Sequence, residues 1–156
     1  MALMQVSRKI DYVLRAVIYL ARGDGGVYSI AEIAKAEDIP KKFLEKILQD
    51  LTHKGIVHSR RGAQGGYSLA RPRDQITFRE IIEAVEGPVS MNTCLGDHID
   101  CSIYEKCGML WVWREAQRRV IDLFSKTTLA DIPVPRGPIP PTTATVTSNN
   151  GELALV

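Results

Sequence analysis

The chain carries three cysteines, Cys94, Cys101 and Cys107, and all of them fall within one stretch of fourteen residues. Six residues separate the first pair and five the second. A structural core does not require every thiol in one short segment, whereas thiolates gathered in this way ligate soft centres such as zinc or iron–sulfur clusters. The intervening stretches, Leu95-Gly-Asp-His-Ile-Asp100 and Ser102-Ile-Tyr-Glu-Lys106, are polar and turn-like. They predict a loop folded around an object. An odd number of cysteines argues against a closed disulfide framework. Met1 to Ile10 carries charge and no long apolar run, so no secretory leader is expected and the setting should be cytoplasmic and reducing. Zinc recruits close Cys-x-x-Cys pairs, which this chain lacks. An iron–sulfur cluster is therefore the leading expectation. A thiol redox switch, zinc and unconnected buried cysteines are the alternatives. The acids Asp97, Asp100 and Glu105 would disfavour thiolate formation, which counts against the redox switch.

These thiols must be positioned by the elements around them. With 156 residues, 45% hydrophobic and 24% charged, the composition is that of one globular domain with an appendage. No apolar run approaches the roughly 20 residues that cross a bilayer, so no membrane partner is expected. Ile10, Val13, Leu14, Val17, Ile18 and Ala21 repeat at helical spacing and predict a first helix over 5–22 with one buried face. Ser29 with Glu32 is a capping-box pair opening a short second helix. Pro40 fits the first turn of a third helix, whose apolar positions are Phe43, Leu44, Ile47, Leu48 and Leu51 and which stops at Gly55. Ile56–Ser59 and Tyr67–Leu69 read as strands joined by a glycine-rich tip, Arg60 to Gly66. Thr77 and Glu80 form a second capping box before a helix containing Phe78, Ile81, Ile82 and Val85, closed by Gly87-Pro88. Met109 to Ser125 predicts a long helix with a wide stripe of Leu110, Trp113, Ala116, Gln117, Val120, Leu123 and Phe124. That stripe is too apolar to stay exposed, and a second copy of the chain is the expected cover. Pro133 to Val156 holds five of the eight prolines and lacks periodic apolar positions, so disorder is expected there.

Two short helices, a tight turn and a β-hairpin make the order of a winged helix-turn-helix. The predicted fold class is thus mainly α with a small β-wing, followed by a long C-terminal dimerisation helix. The expected divisions are 1–88 for the DNA-binding domain, 89–108 for the cysteine loop, 109–132 for the dimerisation helix and its end, and 133–156 for the tail. Charge is spread unevenly along the chain. The net charge is only +2 overall. Six basic residues against two acids lie between Pro40 and Arg61, and six acids against one lysine lie between Glu80 and Cys107. The first region suits a polyanion and the second repels one. On the third helix Lys41, Lys42, Glu45, Lys46 and Gln49 project away from the apolar face. Lysines neutralise phosphates, Gln49 can read a base edge, and Glu45 can accept from cytosine N4. Arg60 and Arg61 sit at the hairpin tip among Gly62, Gly65 and Gly66, where glycine permits close approach and arginine can enter a minor groove. No nucleotide loop, nucleophile–base pair or substrate pocket is legible, so an enzyme is not expected.

The runs Ile30-Ala-Glu-Ile-Ala34, Phe43-Leu-Glu-Lys-Ile-Leu48, Arg61-Gly-Ala-Gln-Gly-Gly-Tyr-Ser-Leu69, Ile81-Ile-Glu-Ala-Val-Glu-Gly87, Trp113-Arg-Glu-Ala116 and Thr128-Leu-Ala-Asp131 resemble the BadM/Rrf-two family of bacterial winged-helix regulators. The likeness spans roughly Met4 to Ile132. The cysteine triplet makes it similar to the iron–sulfur branch of that family. The resemblance implies a homodimeric transcriptional regulator, a repressor, on a pseudo-palindromic double-stranded DNA operator. Its affinity would follow a cluster that senses iron–sulfur status, nitric oxide or redox state. Cys94, Cys101 and Cys107 match the family's cluster ligands, and Glu45 and Arg61 match its DNA-contacting positions. Two features depart from IscR-like members: the first cysteine gap is six residues where five is typical, and Leu110 stands where they carry a histidine. NsrR-like members complete a 4Fe–4S site with an aspartate of the partner chain near the start of the first helix, and Asp11 fits that position. A 4Fe–4S cluster is favoured, with 2Fe–2S as the alternative and His98 as the local alternative ligand. A cluster-free regulator of the same fold, responding to thiol oxidation or a small molecule, is the competing function.

Overall fold

The computed structural model describes residues 6–23, 25–62, 64–96, 99 and 101–133. The expected disordered tail beyond Pro133 lies outside the described residues. Five helices and one antiparallel hairpin follow the predicted order: α1 (Arg8–Ala21), α2 (Ile30–Ala36), α3 (Lys41–His53), β1 (Val57–Arg60), β2 (Gly66–Leu69), α4 (Phe78–Glu86) and α5 (Leu110–Lys126). Both capping boxes form. The Ser29 hydroxyl accepts the Glu32 N–H while Glu32 accepts the Ser29 N–H, and Thr77 and Glu80 do the same for α4. Such caps satisfy backbone donors that the first helical turn leaves free and contribute about 1 kcal/mol each. Gly55 and Gly87 end α3 and α4 with φ of +66° and +81°, where a Cβ would be strained.

Glu80 does more than cap. Partial burial pushes its carboxyl upward, but the Thr77 N–H, the Arg71 guanidinium and the Thr77 hydroxyl outweigh that and hold it below the ordinary value. A carboxylate with a lowered folded-state pKa stabilises above its unfolded pKa and loses that contribution as pH falls through the folded value. The Glu80→Gln protein is therefore expected to lose less stability than the parent between neutral pH and about pH 3. Urea unfolding at the two pH values checks this, and equal losses would reject it.

The core is formed where α1, α3 and α4 meet under the hairpin. Val13, Val17, Leu20, Ile33, Leu44, Ile47, Leu48, Leu51, Ile56, Ile76 and Ile81 are all essentially inaccessible. Three expectations need correction. The buried face of α1 is Val13, Ala16, Val17, Leu20 and Ala21, while Ile10, Leu14 and Ile18 are only half-buried. The reason is that Ile10 and Leu14 line an open apolar groove with Phe78, Ile82 and Phe124 on the α4–α5 side. Phe43 is 56% exposed instead of facing inward. It sits 100° around the helix from Leu44 and meets the edge of Tyr12 at 6.3 Å. Pro40 occupies the cap position before α3, not its first turn.

Two further features shape the region around α3 and the wing. Asp38, in the turn between α2 and α3, has a φ of +49°, a left-handed conformation that Asp tolerates better than most residues. Tyr28 pairs with Tyr67 through reciprocal N–H to carbonyl bonds of 2.9 and 2.8 Å, an isolated bridge that lays one rung of a third segment against the two-stranded wing. On the other side of the core, Leu129 is buried and Thr77 bridges to Thr128, which returns the chain after α5 to the start of α4. α5 itself has no fully buried residue. Its expected stripe is half-buried, apart from Leu123 at 61% exposure, and Met109 and Trp111 are more than 60% exposed on top of that. No helix among the described residues is long and apolar enough to cross a membrane.

Candidate nucleic-acid interface and thiol loop

The backbone brings the two basic clusters to one side. Lys41 and Glu45 of α3, Ser29 to Ala31 at the start of α2, and Ser59 to Gly62 with Gly65 to Tyr67 of the wing line a single open groove of about 570 Å³. Lys42, Lys46 and Gln49 are exposed on the adjoining crest of α3, at the helical spacing that keeps them opposite Leu44, Ile47 and Leu48. Among the described residues, none of Lys41, Lys42, Lys46, Arg60 and Arg61 forms an ion pair. Their charges are left to the solvent side of the groove. The wing that carries Arg60 and Arg61 is held tightly. A Cβ on Gly65 would strike the Arg60 and Gly62 carbonyls, and one on Gly66 would strike the Tyr28 carbonyl. Sequence reading missed the contribution of Ser29, Ile30 and Ala31, which the Tyr28–Tyr67 bridge carries next to the wing.

Behind this surface lies a charged network. Glu37, only 5% exposed, pairs with Nη2 of Arg22 at 3.2 Å and Nε of Arg15 at 3.6 Å. Neither Glu37 Oε1 nor Arg22 Nε has a hydrogen-bond partner, so the 3.2 Å contact is an ion pair without hydrogen-bond alignment. Arg15 also donates to Asp11 at 3.3 Å, and Asp11 is exposed on the outer face of α1. The position singled out for a trans ligand is thus joined through Arg15, by two salt bridges, to the residue that precedes Asp38.

The thiols lie apart from the groove. Cys94 sits in a 3-10 turn over Thr93–Leu95, and Cys107 follows a second one over Tyr104–Lys106, directly before α5. All three cysteines are free; Cys94 and Cys107 are half-buried and Cys101 is exposed. Among the described residues, no three Cys, His, Asp or Glu side chains lie close enough to share a metal. Asp97, His98 and Asp100 lie outside the described residues, and Glu105 is exposed. The donor chemistry, three unpaired thiols on one loop, fits an iron–sulfur cluster. The arrangement would require the loop to draw its thiols together.

A helix-turn-helix with a basic, glycine-tipped wing defines a winged-helix transcriptional regulator. The family model "Rrf2: Iron-dependent Transcriptional regulator" matches residues 6–134, and the chain belongs to the Rrf2 family. A protein of Aquifex aeolicus (strain VF5) assigned as an HTH-type transcriptional regulator is 34% identical over 131 residues, covering 83% of this chain and 91% of the other. Protein aau3 of Rhizobium meliloti (strain 1021) is 32% identical over 130 residues, covering 83% and 84%. Among solved structures, CymR (YrzC), described as the global cysteine regulator of B. subtilis, superposes with a TM-score of 0.67 at 32% identity over 83% of this chain and 95% of its own. IscR of T. potens superposes with a TM-score of 0.63 at 32% identity over 82% and 85%. The chain is accordingly a transcriptional regulator and not an enzyme.

Proposed function

We propose that the protein is a homodimeric, DNA-binding repressor whose operator affinity is set by one iron–sulfur cluster per protomer. The observation that carries this reading is the set of three free thiols on a single loop that joins the reading head to α5. The family's description as iron-dependent regulators supports it. Cys94, Cys101 and Cys107 would hold the cluster, with Asp11 of the partner subunit as the fourth ligand of a 4Fe–4S centre; a 2Fe–2S centre is the alternative. When bound, such a cluster supplies a redox- and nitric-oxide-sensitive tie between the loop and the dimer.

The chain's own residues do the rest. α3 enters the major groove of a pseudo-palindromic double-stranded operator, with Lys41, Lys42 and Lys46 toward phosphates and Glu45 and Gln49 toward base edges. Arg60 and Arg61 follow the flanking backbone or minor groove, and Gly65 keeps the wing close to it. The exposed apolar residues of α5, Trp111 and Leu123 among them, are covered by a second copy. Arg15 provides the coupling. It shares its charge between Asp11 and Glu37, so any new partner for Asp11 changes what Arg15 offers the turn before α3. Only such a difference in contacts between two states alters operator affinity.

Protein isolated without oxygen tests the reading. A visible thiolate-to-iron absorption band, iron stoichiometric with protomer, and different operator affinities for loaded and stripped protein are expected. A colourless, iron-free dimer, or one that binds DNA identically in both states, would sink it. The similarity to the cysteine regulator CymR favours a second reading, a cluster-free regulator answering to thiol oxidation or a small molecule. That reading gains if the triple Cys→Ala protein binds its operator normally, ignores iron and responds to a metabolite.

A further inference from the structure

We infer that Arg114 and Gln117 of α5 are positioning residues for the thiol loop, holding its two arms on one face of the helix and so limiting how freely the three cysteines move. The consequence for cluster retention rests on the proposed function; the tethering itself does not.

The need for tethers follows from the loop's composition. Between Pro88 and Met109 no described residue is fully buried, and Ile99, Ile103 and Met109 are 48%, 58% and 62% exposed. No apolar core of its own fixes this segment, and its described backbone bonds are local turns. At its entrance the Val89 N–H reaches Glu83 Oε1 of α4 at 3.5 Å, the outer limit of a hydrogen bond. Beyond that point, among the described residues, two hydrogen bonds from α5 side chains reach the loop. The Met91 N–H donates to Gln117 Oε1 at 3.0 Å across 26 residues of chain. Nη2 of Arg114 donates to the Tyr104 hydroxyl at 2.7 Å, with the guanidinium 5.7 Å from the ring centroid. Met91 lies three residues before Cys94, and Tyr104 lies between Cys101 and Cys107. One tether therefore serves each arm.

The two side chains are three apart on α5 and share a face. Gln117 stands within the apolar stripe of Leu110, Trp113, Val120 and Phe124, and it is half-buried there. A half-buried amide in such a stripe carries a desolvation cost unless it is bonded. The Met91 N–H offsets that cost and, at the same time, orders the N-terminal arm. Tyr104 contributes both an acceptor oxygen and a ring face, so Arg114 grips the C-terminal arm in two ways.

The test uses full-length protein, stripped of metal and kept reduced. Gln117→Leu keeps the helix and its apolar stripe but removes the acceptor; Gln117→Glu restores an acceptor oxygen. Arg114→Met keeps the stem and removes the donor. Losing one net hydrogen bond is worth about a five-fold change in local opening. Hydrogen exchange of residues 89–96 and alkylation of Cys94 by N-ethylmaleimide should therefore quicken about five-fold in Gln117→Leu and return toward parent in Gln117→Glu. Arg114→Met should act instead on Cys101 and Cys107. Operator binding by the stripped proteins should be unchanged. On iron-loaded protein, the rate of iron loss to a chelator should rise in Gln117→Leu and fall back in Gln117→Glu. Parent-like rates in Gln117→Leu and Arg114→Met, or a uniform acceleration at all three thiols with a lowered melting temperature, would overturn the inference. If the parent takes up no iron, the cluster reading fails while exchange and alkylation still decide the tethers.

Discussion

The Arg22→Met protein is expected to be about 3 kcal/mol less stable than its parent. Glu37 is the reason. Its side chain is 6% accessible, and among the described residues its charge is matched by Arg15 of α1 and by Arg22, which caps that helix. Arg22 is the closer and more buried of the two, at 3.2 Å and 22% exposure against 3.6 Å and 36% for Arg15. Glu37 Oε1 has no hydrogen bond, so ion pairing alone compensates its desolvation. With Arg22 gone, a buried carboxylate keeps one distant partner that is already shared with Asp11. Removing one member of a buried pair is strongly destabilising, whereas replacing the whole group with apolar residues is often neutral. The Arg22→Met/Glu37→Leu double variant should therefore recover most of the loss, and Arg15→Met should cost less than Arg22→Met. Urea unfolding at fixed protein concentration measures all four proteins. A loss below about 1 kcal/mol for Arg22→Met, the range of an exposed salt bridge, would show that Glu37 does not depend on it.

Arg61→Ala and Glu45→Ala are expected to weaken operator binding in different ways. Both side chains open onto the same groove, yet they have opposite charge. Arg61 is exposed on the wing and forms no ion pair among the described residues, so its charge is available to DNA. If it neutralises one phosphate per wing, its loss lowers affinity roughly equally for all sequences and flattens the slope of log affinity against log salt by about 0.9 per contact. Two wings on a palindrome double the effect. Glu45 repels phosphates, so it can favour binding only by accepting from a base donor such as cytosine N4. Glu45→Ala should therefore relax the preference at one base pair in each half-site by about 1–3 kcal/mol while lowering overall affinity less. Binding titrations over a salt series, with matched and single-base-changed operators, separate the two. If both variants behave like the parent, the reading surface lies elsewhere.

Much of this is legible in the sequence. The capping boxes at Ser29 and Thr77 are local chemistry within four residues, and both formed at those positions. The glycine-rich tip between two short apolar runs specified the wing, and helical spacing specified α3 and α5. The failures have a common cause. Phe43 has the composition of a core residue, but its exposure depends on which neighbour packs beside α3. Tyr28 forms a single rung of sheet, too short for any alternation to reveal. Leu129 is buried because the chain after α5 turns back onto α4, a contact across more than forty residues of sequence. Glu37 looks like an ordinary surface acid at the end of a short helix until α1 and its C-cap bring Arg15 and Arg22 around it.

The amino-acid order alone determined the class of protein: which segments coil, where they stop, where positive charge concentrates, and that three soft donors share one loop. These are properties of neighbours along the chain, settled by hydrogen bonds and side-chain periods that span a few residues. Tertiary packing decided the rest. It placed α3 and the wing on one groove, enclosed Glu37 between Arg15 and Arg22, and hung the thiol loop from Arg114 and Gln117. Those relations join residues far apart in sequence, and only the shared burial of the core brings such residues within reach of one another.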